Sequence, residues 1–262
     1  MCPFIENLQV WRARKIMNRK NSNHSPPKDA AYWETARTRI TDIRRIDRQH
    51  NLVFGSDGHR YRIEKPIVES RLKQFECRNG VDLPVEYRTF LGSFGAGGAG
   101  PDYGIFAFSE VESHDVSTPF HITDSTEWPE DDEDPMWHLS GLLPISTSGC
   151  GVDWSIEING PQPGTMWVDA GPGDHLMRCQ SFGTWFGDWL DRIELGLRKY
   201  ELVKALISIK ASVAEISCAC KTEPHYFESD GGSFCRFLGV PGCLRLEGEQ
   251  VASFQLNKCW IS

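Results

Sequence analysis

Apolar residues recur along this chain with two periods. In "SFGTWFGDWLDRIELGLRKY", Phe182, Trp185, Phe186, Trp189, Leu190, Ile193 and Leu197 return every three or four positions. That spacing puts them on one buried face of a helix about four turns long. Ser181 stands where an N-cap is needed. "YELVKALISIKASVAEISCACK" carries the helical pattern on, with a break expected near residues 210–212.

Upstream, Trp33, Ile40, Ile43 and Ile46 mark a charged, half-buried helix. Pro66 opens a second, with Val68, Leu72 and Phe75 as its stripe and Asn79-Gly80 as its stop. Pro84 opens a third, in which Tyr87, Phe90, Leu91 and Phe94 fall at i, i+3, i+4 and i+7. Between the first two, "HNLVFGSDGHRYRI" reads as two short strands around a Gly-Ser-Asp-Gly turn.

The other period is two. "HLSGLLPIST", "GVDWSIEING" and "GTMWVDAG" read as successive antiparallel strands, with "NGPQPG" as a turn. "DYGIFAF" reads as a further strand, residues 109–136 as a long polar loop, and the last forty residues as short strands. Helices, then strands, then an aromatic helix make an α+β protein: a curved, mostly antiparallel sheet flanked by helices. The expected division is a flexible basic arm over 1–30, an α+β domain over 31–200, and a C-terminal extension over 201–262 (a helical hairpin plus short strands).

Composition narrows the partners. The formal net charge is −8, which argues against nucleic acid, because Lys and Arg drive binding to the phosphate backbone. No stretch approaches the ~18 apolar residues of a membrane span. "MCPFIENLQVWRARKIMNRK" is basic and amphiphilic, without the apolar run of a secretory leader. Nine cysteines, an odd number, fit reduced thiols in a cytoplasm. Five of them, Cys218, Cys220, Cys235, Cys243 and Cys259, fall after residue 217, which leaves pairing or metal binding open at that end.

Gly95, Gly97 and Gly100 satisfy G-x-G-x-x-G, the pattern that holds a dinucleotide pyrophosphate. The setting is wrong for it: a helix precedes the glycines, a strand is expected after them, and Pro101 stands where a phosphate-binding helix would begin. The run is expected to be a sharp turn from helix into sheet, with no cofactor. The eight histidines show no metal spacing, and no metal is expected. Cys150 between glycines lacks the base and electropositive setting of a nucleophile. Leu206, Val213 and Ile216 carry a faint helix-turn-helix look without a basic recognition face. No catalytic residue is assigned. The acidic run from Glu127 through Glu130, Asp131, Asp132, Glu133 and Asp134 reads either as a solvated loop or as a negative surface that steers a cationic partner.

Three segments together resemble the SUKH superfamily. They are "LPVEYRTFLGSFGAGGAGPDYGI" (83–105), "GLLPISTSGCGVDWSIEINGPQPGTMWVD" (141–169) and "SFGTWFGDWLD" (181–191). The landmarks are Leu83-Pro84, the glycine turn to Tyr103-Gly104, Leu143-Pro144, Gly149-Cys150-Gly151, and Gly160 and Gly164 before Trp167. The superfamily contains yeast cell-wall synthesis regulators and many bacterial immunity proteins against contact-dependent or secreted toxins. What the resemblance implies is a non-enzymatic scaffold whose loops hold a specific protein partner: a cognate toxin, a basic nuclease-like domain being one candidate. An intracellular scaffold or regulator like the fungal members is the alternative. Asp102 and Tyr103 beside the glycine turn, together with residues 130–134, are the expected partner-binding positions.

Overall fold

The computed structural model describes residues 27–127, 139–170, 175–229, 232–237, 239–247 and 250–255. The chain divides into two compact units. One comprises residues 1–33, 66–96 and 108–185; the other comprises 34–65, 97–107 and 186–262.

The first unit is built on a five-stranded antiparallel sheet. Its strands are β1 (Thr126–Glu127), β2 (Leu142–Gly149), β3 (Val152–Glu157), β4 (Thr165–Asp169) and β5 (His175–Ser181), in the order β1-β5-β4-β3-β2. β2, β3 and β4 are the three strands expected from alternation. β5 and the short β1 escaped that reading. Bulges interrupt β2 between Pro144 and Ser146 and again between Thr147 and Gly149, and β5 between Arg178 and Ser181, opposite Thr165 and Trp167. Each extra residue bends its strand and adds twist.

One end of this unit is an aromatic core. Trp33 meets Phe90 edge-on at 5.1 Å and Phe182 at 5.8 Å, while Phe90 stacks on Phe94 at 4.7 Å. All four are fully buried. At about 1.5–3 kcal/mol for each buried large apolar side chain, this cluster is a main source of the unit's stability. The spacing of Tyr87, Phe90, Leu91 and Phe94 is realised as a short α-helix, Val85–Thr89, that loosens into a π-helical turn at Phe90–Phe94. That turn closes where Gly95 N donates to Phe90 O at 3.1 Å. Under the sheet, buried Glu157 accepts from the Trp167 indole at 3.1 Å and from Gln162 N, so the "NGPQPG" turn is wound around a carboxylate.

The helix expected after Pro66 runs Glu69–Asn79, with Gly80 left-handed at its C-cap. Leu72 and Phe75 are buried, but Val68 is exposed at the N-cap, so the stripe is one turn shorter than expected. Helix Ala30–Ile46 begins in the first unit and continues in the second, as does helix Phe182–Ser208. Ser181 Oγ accepts from Thr184 N at 3.3 Å, the N-cap role expected of it.

In the second unit, Phe182–Ser208 ends where Lys210 turns left-handed, and Val213–Cys220 follows with a full Ser212–Glu215 capping box. The break near 210–212 is therefore present, with a second helix after it. A four-stranded antiparallel meander follows, of β6 (Pro224–Ser229), β7 (Gly232–Phe237), β8 (Cys243–Glu247) and β9 (Gln250–Gln255).

Two local expectations fail. "HNLVFGSDGHRYRI" contains no strand pair; Ser56–His59 is a one-turn helix, and Ile63 makes a single bridge to Gly98. Period-two alternation is short there, and the polar contacts of buried Asp47 decide the backbone instead. "DYGIFAF" is not a strand either: only Ile105 bridges, and Phe108–Val111 is already helical.

Candidate interaction surface

The glycine run folds into a tight hairpin in the second unit. Gly98 and Ile105 exchange both backbone hydrogen bonds at 2.8 Å, Ala99 N donates to Arg62 O at 2.6 Å, and Glu64 N donates to Gly97 O at 3.1 Å. Three short segments thus lie backbone to backbone, and side chains on the glycines would block them. A β-carbon on Gly98 would stand 2.2 Å from Arg62 O, and one on Gly97 would stand 2.7 Å from Phe106 O. The amides of Gly95, Gly98 and Ala99 are donated to carbonyls of the chain itself. The turn expected from helix into sheet is instead a turn from the π-helical segment into this hairpin.

The tip of the hairpin is Pro101–Gly104, closed by Gly104 N donating to Pro101 O at 2.9 Å. Asp102 takes a left-handed φ of 54° and is half-buried. Tyr103 is 45% exposed, a high value for an aromatic ring on so rigid a turn. Its ring leans on half-buried Phe54, centroids 5.3 Å apart. Asp102 and Tyr103 thus both sit at the tip of the hairpin. Glu130, Asp131, Asp132, Glu133 and Asp134 lie outside the described residues, and β1 ends just before them at Glu127.

Beneath the tip is a polar network that sequence reasoning missed. Asp47 is 1% exposed. Its carboxylate accepts from Asn51 N at 2.9 Å, Leu52 N at 3.2 Å, Ser56 Oγ at 3.1 Å and the Tyr61 hydroxyl at 2.7 Å. Neutral donors alone can satisfy a buried carboxylate when there are enough of them. Burial and the Asp47 charge raise the Tyr61 hydroxyl far above its ordinary range, so it stays protonated and donates.

His59, 7% exposed, accepts from Tyr61 N at Nδ1, 3.0 Å away. That bond puts the proton on Nε2, which has no hydrogen-bond partner among the described residues. Burial first, then neighbouring His50, pushes His59 down to about 4, against the opposing pull of Asp47 and Asp57. The one signal in the sequence was an acidic residue directly after a helix and ahead of Ser56 and Tyr61, too common a pattern to single out.

Among the described residues, no group of three or more His, Cys, Asp or Glu could hold a metal. No disulfide joins the described cysteines, from Cys77 to Cys243. No helix among the described residues is long and apolar enough to cross a membrane.

No curated protein and no solved structure is significantly similar to this chain. The model of the SMI1 / KNR4 family (SUKH-1) matches residues 66–188, just under half of the 262. That span opens with Pro66, takes in the glycine hairpin and the five-stranded sheet, and closes on the aromatic helix at Asp188. Residues 66–188 are thus similar to the SMI1 / KNR4 family (SUKH-1), and the rest of the chain lies outside that likeness.

Proposed function

We propose that this protein is a bacterial immunity protein that binds a cognate toxin domain and neutralises it by occluding the toxin's active site. Members of the SUKH superfamily are generally non-catalytic and work as immunity or scaffold proteins, so function is sought in a surface rather than in a reaction centre. The observation that carries the reading is Tyr103. An exposed aromatic ring on a turn locked by backbone hydrogen bonds loses little freedom on binding, which is what an interface anchor requires. Asp102 stands beside it as a polar contact. The acidic run Glu130, Asp131, Asp132, Glu133 and Asp134 has the charge to speed association with a basic toxin, a nuclease-like domain being the candidate. Such a protein would act in the cytoplasm, without a cofactor.

The test is co-expression with the toxin candidate encoded beside the gene. Protection of the host and a stable complex are expected, and Tyr103→Ala should weaken that complex at least about tenfold. Absence of both protection and binding would overturn the reading. A complex with an intracellular partner that confers no protection would instead support a scaffold or regulator of the fungal kind.

A further inference from the structure

The pairing of His59 with the hairpin that carries Tyr103 has a consequence for that surface in acid. Four elements surround His59. Its own one-turn helix supplies Asp57; the segment after helix Ala30–Ile46 supplies Asp47 and His50; helix Phe182–Ser208 presents uncharged Trp189, ring centroids 6.4 Å away. The hairpin presents Gly104, packed so tightly that a β-carbon there would stand 3.1 Å from the His59 β-carbon. Tyr61 lies against the imidazole at 5.1 Å and gives it the one hydrogen bond it accepts.

We propose that the His59 imidazole and the Tyr61 amide form an acid-release latch, which holds the Tyr103 turn in place while His59 is neutral and lets it go when His59 takes a proton. The chemistry is a change of hydrogen-bond sign. Neutral Nδ1 accepts from Tyr61 N; protonated Nδ1–H is a second donor facing that N–H, so the bond is lost and two donors oppose each other. The new positive charge is also largely shut off from water, with Nε2–H unpartnered among the described residues, and Asp47 is already filled by its own four donors. Moving His59 outward relieves both faults. It also removes the support under Gly104 and loosens the contact of Gly55 with Asp102, on either side of Tyr103.

The direction follows from where the proton binds. His59 in the closed form sits at about 4, against an ordinary 6.5 once released. The latch is therefore fully closed above the ordinary value. It is weakened about tenfold for each pH unit below that value, down to the closed form's own, some 300-fold in all. That the released surface is the toxin-binding one rests on the function proposed above; the latch itself does not.

The test is an NMR titration of the full chain from pH 7.5 to 3.5, following the His59 ring, exchange of the Tyr61 amide and the Tyr103–Phe54 ring contact. The expected result is a single midpoint well below 6.5 at which His59 protonates. There the Tyr61 amide should exchange at least about tenfold faster than pH alone dictates, and the ring contact should fade. Amides of the five-stranded sheet, such as Ile156, should keep their protection there. His59→Asn keeps an acceptor near the Tyr61 amide without a titrating ring, and should flatten the transition. His50→Gln should keep it. Three results would each overturn the proposal: His59 protonating without a change at Tyr61 and Tyr103, sheet amides losing protection at the same pH, or an unchanged transition in His59→Asn. Should that variant not fold, the wild-type titration decides alone, and none of these readouts needs the partner.

Discussion

A β-carbon on Gly55 would stand 1.8 Å from the carbonyl oxygen of Asp102, closer than any two such atoms can come. The obstacle is backbone, so no rotamer change relieves it. Gly55 also has a left-handed φ of 74°, which side chains disfavour. The turn that presents Tyr103 is thus seated on a segment outside residues 66–188 of the family match.

Gly55→Ala is expected to lower unfolding free energy by about 2–4 kcal/mol, combining conformational strain with a forced backbone shift. Gly80→Ala is the control: its φ is 65°, but nothing lies within 4 Å of an added β-carbon. It should cost only about 1–2 kcal/mol. Urea unfolding of both variants checks the ordering. Equal losses would show that the approach of Gly55 to Asp102 is not a structural constraint.

Asp47 provides a second prediction. Removing its carboxylate strands the Asn51 and Leu52 amides and the buried Tyr61 hydroxyl, while Ser56 Oγ keeps Val53 O at 2.7 Å. Asp47→Ala should destabilise by about 3–5 kcal/mol, and Tyr61→Phe, which removes one donor to a charged acceptor, by about 1.5–3 kcal/mol. Because the residues touch, the double variant should lose less than the sum. Additive losses in a double-mutant cycle would mean that the 2.7 Å bond between them contributes little.

These residues also mark where sequence stops being legible. Helices with buried aromatic stripes, such as Phe182–Ser208, could be read because burial imposes a period on apolar residues. The strands β2 to β4 could be read for the same reason. The glycine hairpin could be placed but not shaped, since its form is set by backbone hydrogen bonds of 2.6 and 3.1 Å to segment 62–64, a long-range contact with no periodic trace. Segment 51–63 misled, because four hydrogen bonds to a single carboxylate outweigh a weak alternation of six or seven residues. At the surface, Asp102 and Tyr103 came from position beside a turn, whereas Phe54, which supports Tyr103, belongs to a stretch read as strand.

The β2–β3 connection offers a stabilising change. Gly149 pairs with Val152, leaving Cys150 and Gly151 as a two-residue loop with φ of 54° and 80°. Positive φ at both positions is the type I′ pattern, which prefers Asn followed by Gly and fits the strand twist. Cysteine carries a cost there that asparagine largely avoids. Cys150→Asn should therefore raise stability by about 0.5–1 kcal/mol with the fold unchanged. A loss of stability would show that the thiol makes a favourable contact at the exposed tip.

The same cysteine should stand out chemically. A thiol reacts as its thiolate, so both access and proton affinity set its rate. Cys77, Cys150 and Cys218 are exposed, whereas Cys220, Cys235 and Cys243 are buried. Burial also pushes the half-buried Cys179 thiol up to about 12 and Cys235 up to about 11. At pH 8 a maleimide should therefore modify Cys77, Cys150 and Cys218 within minutes and leave Cys179, Cys220, Cys235 and Cys243 untouched until the chain unfolds. Peptide mapping by mass spectrometry reads each site separately. Labelling of Cys235 or Cys243 in the native protein, at a rate matching Cys150, would mean that the β6–β9 sheet opens readily and that its buried face is not a stable core. Protection of both, with labelling that appears only at the urea midpoint, would show that this sheet unfolds as one cooperative body.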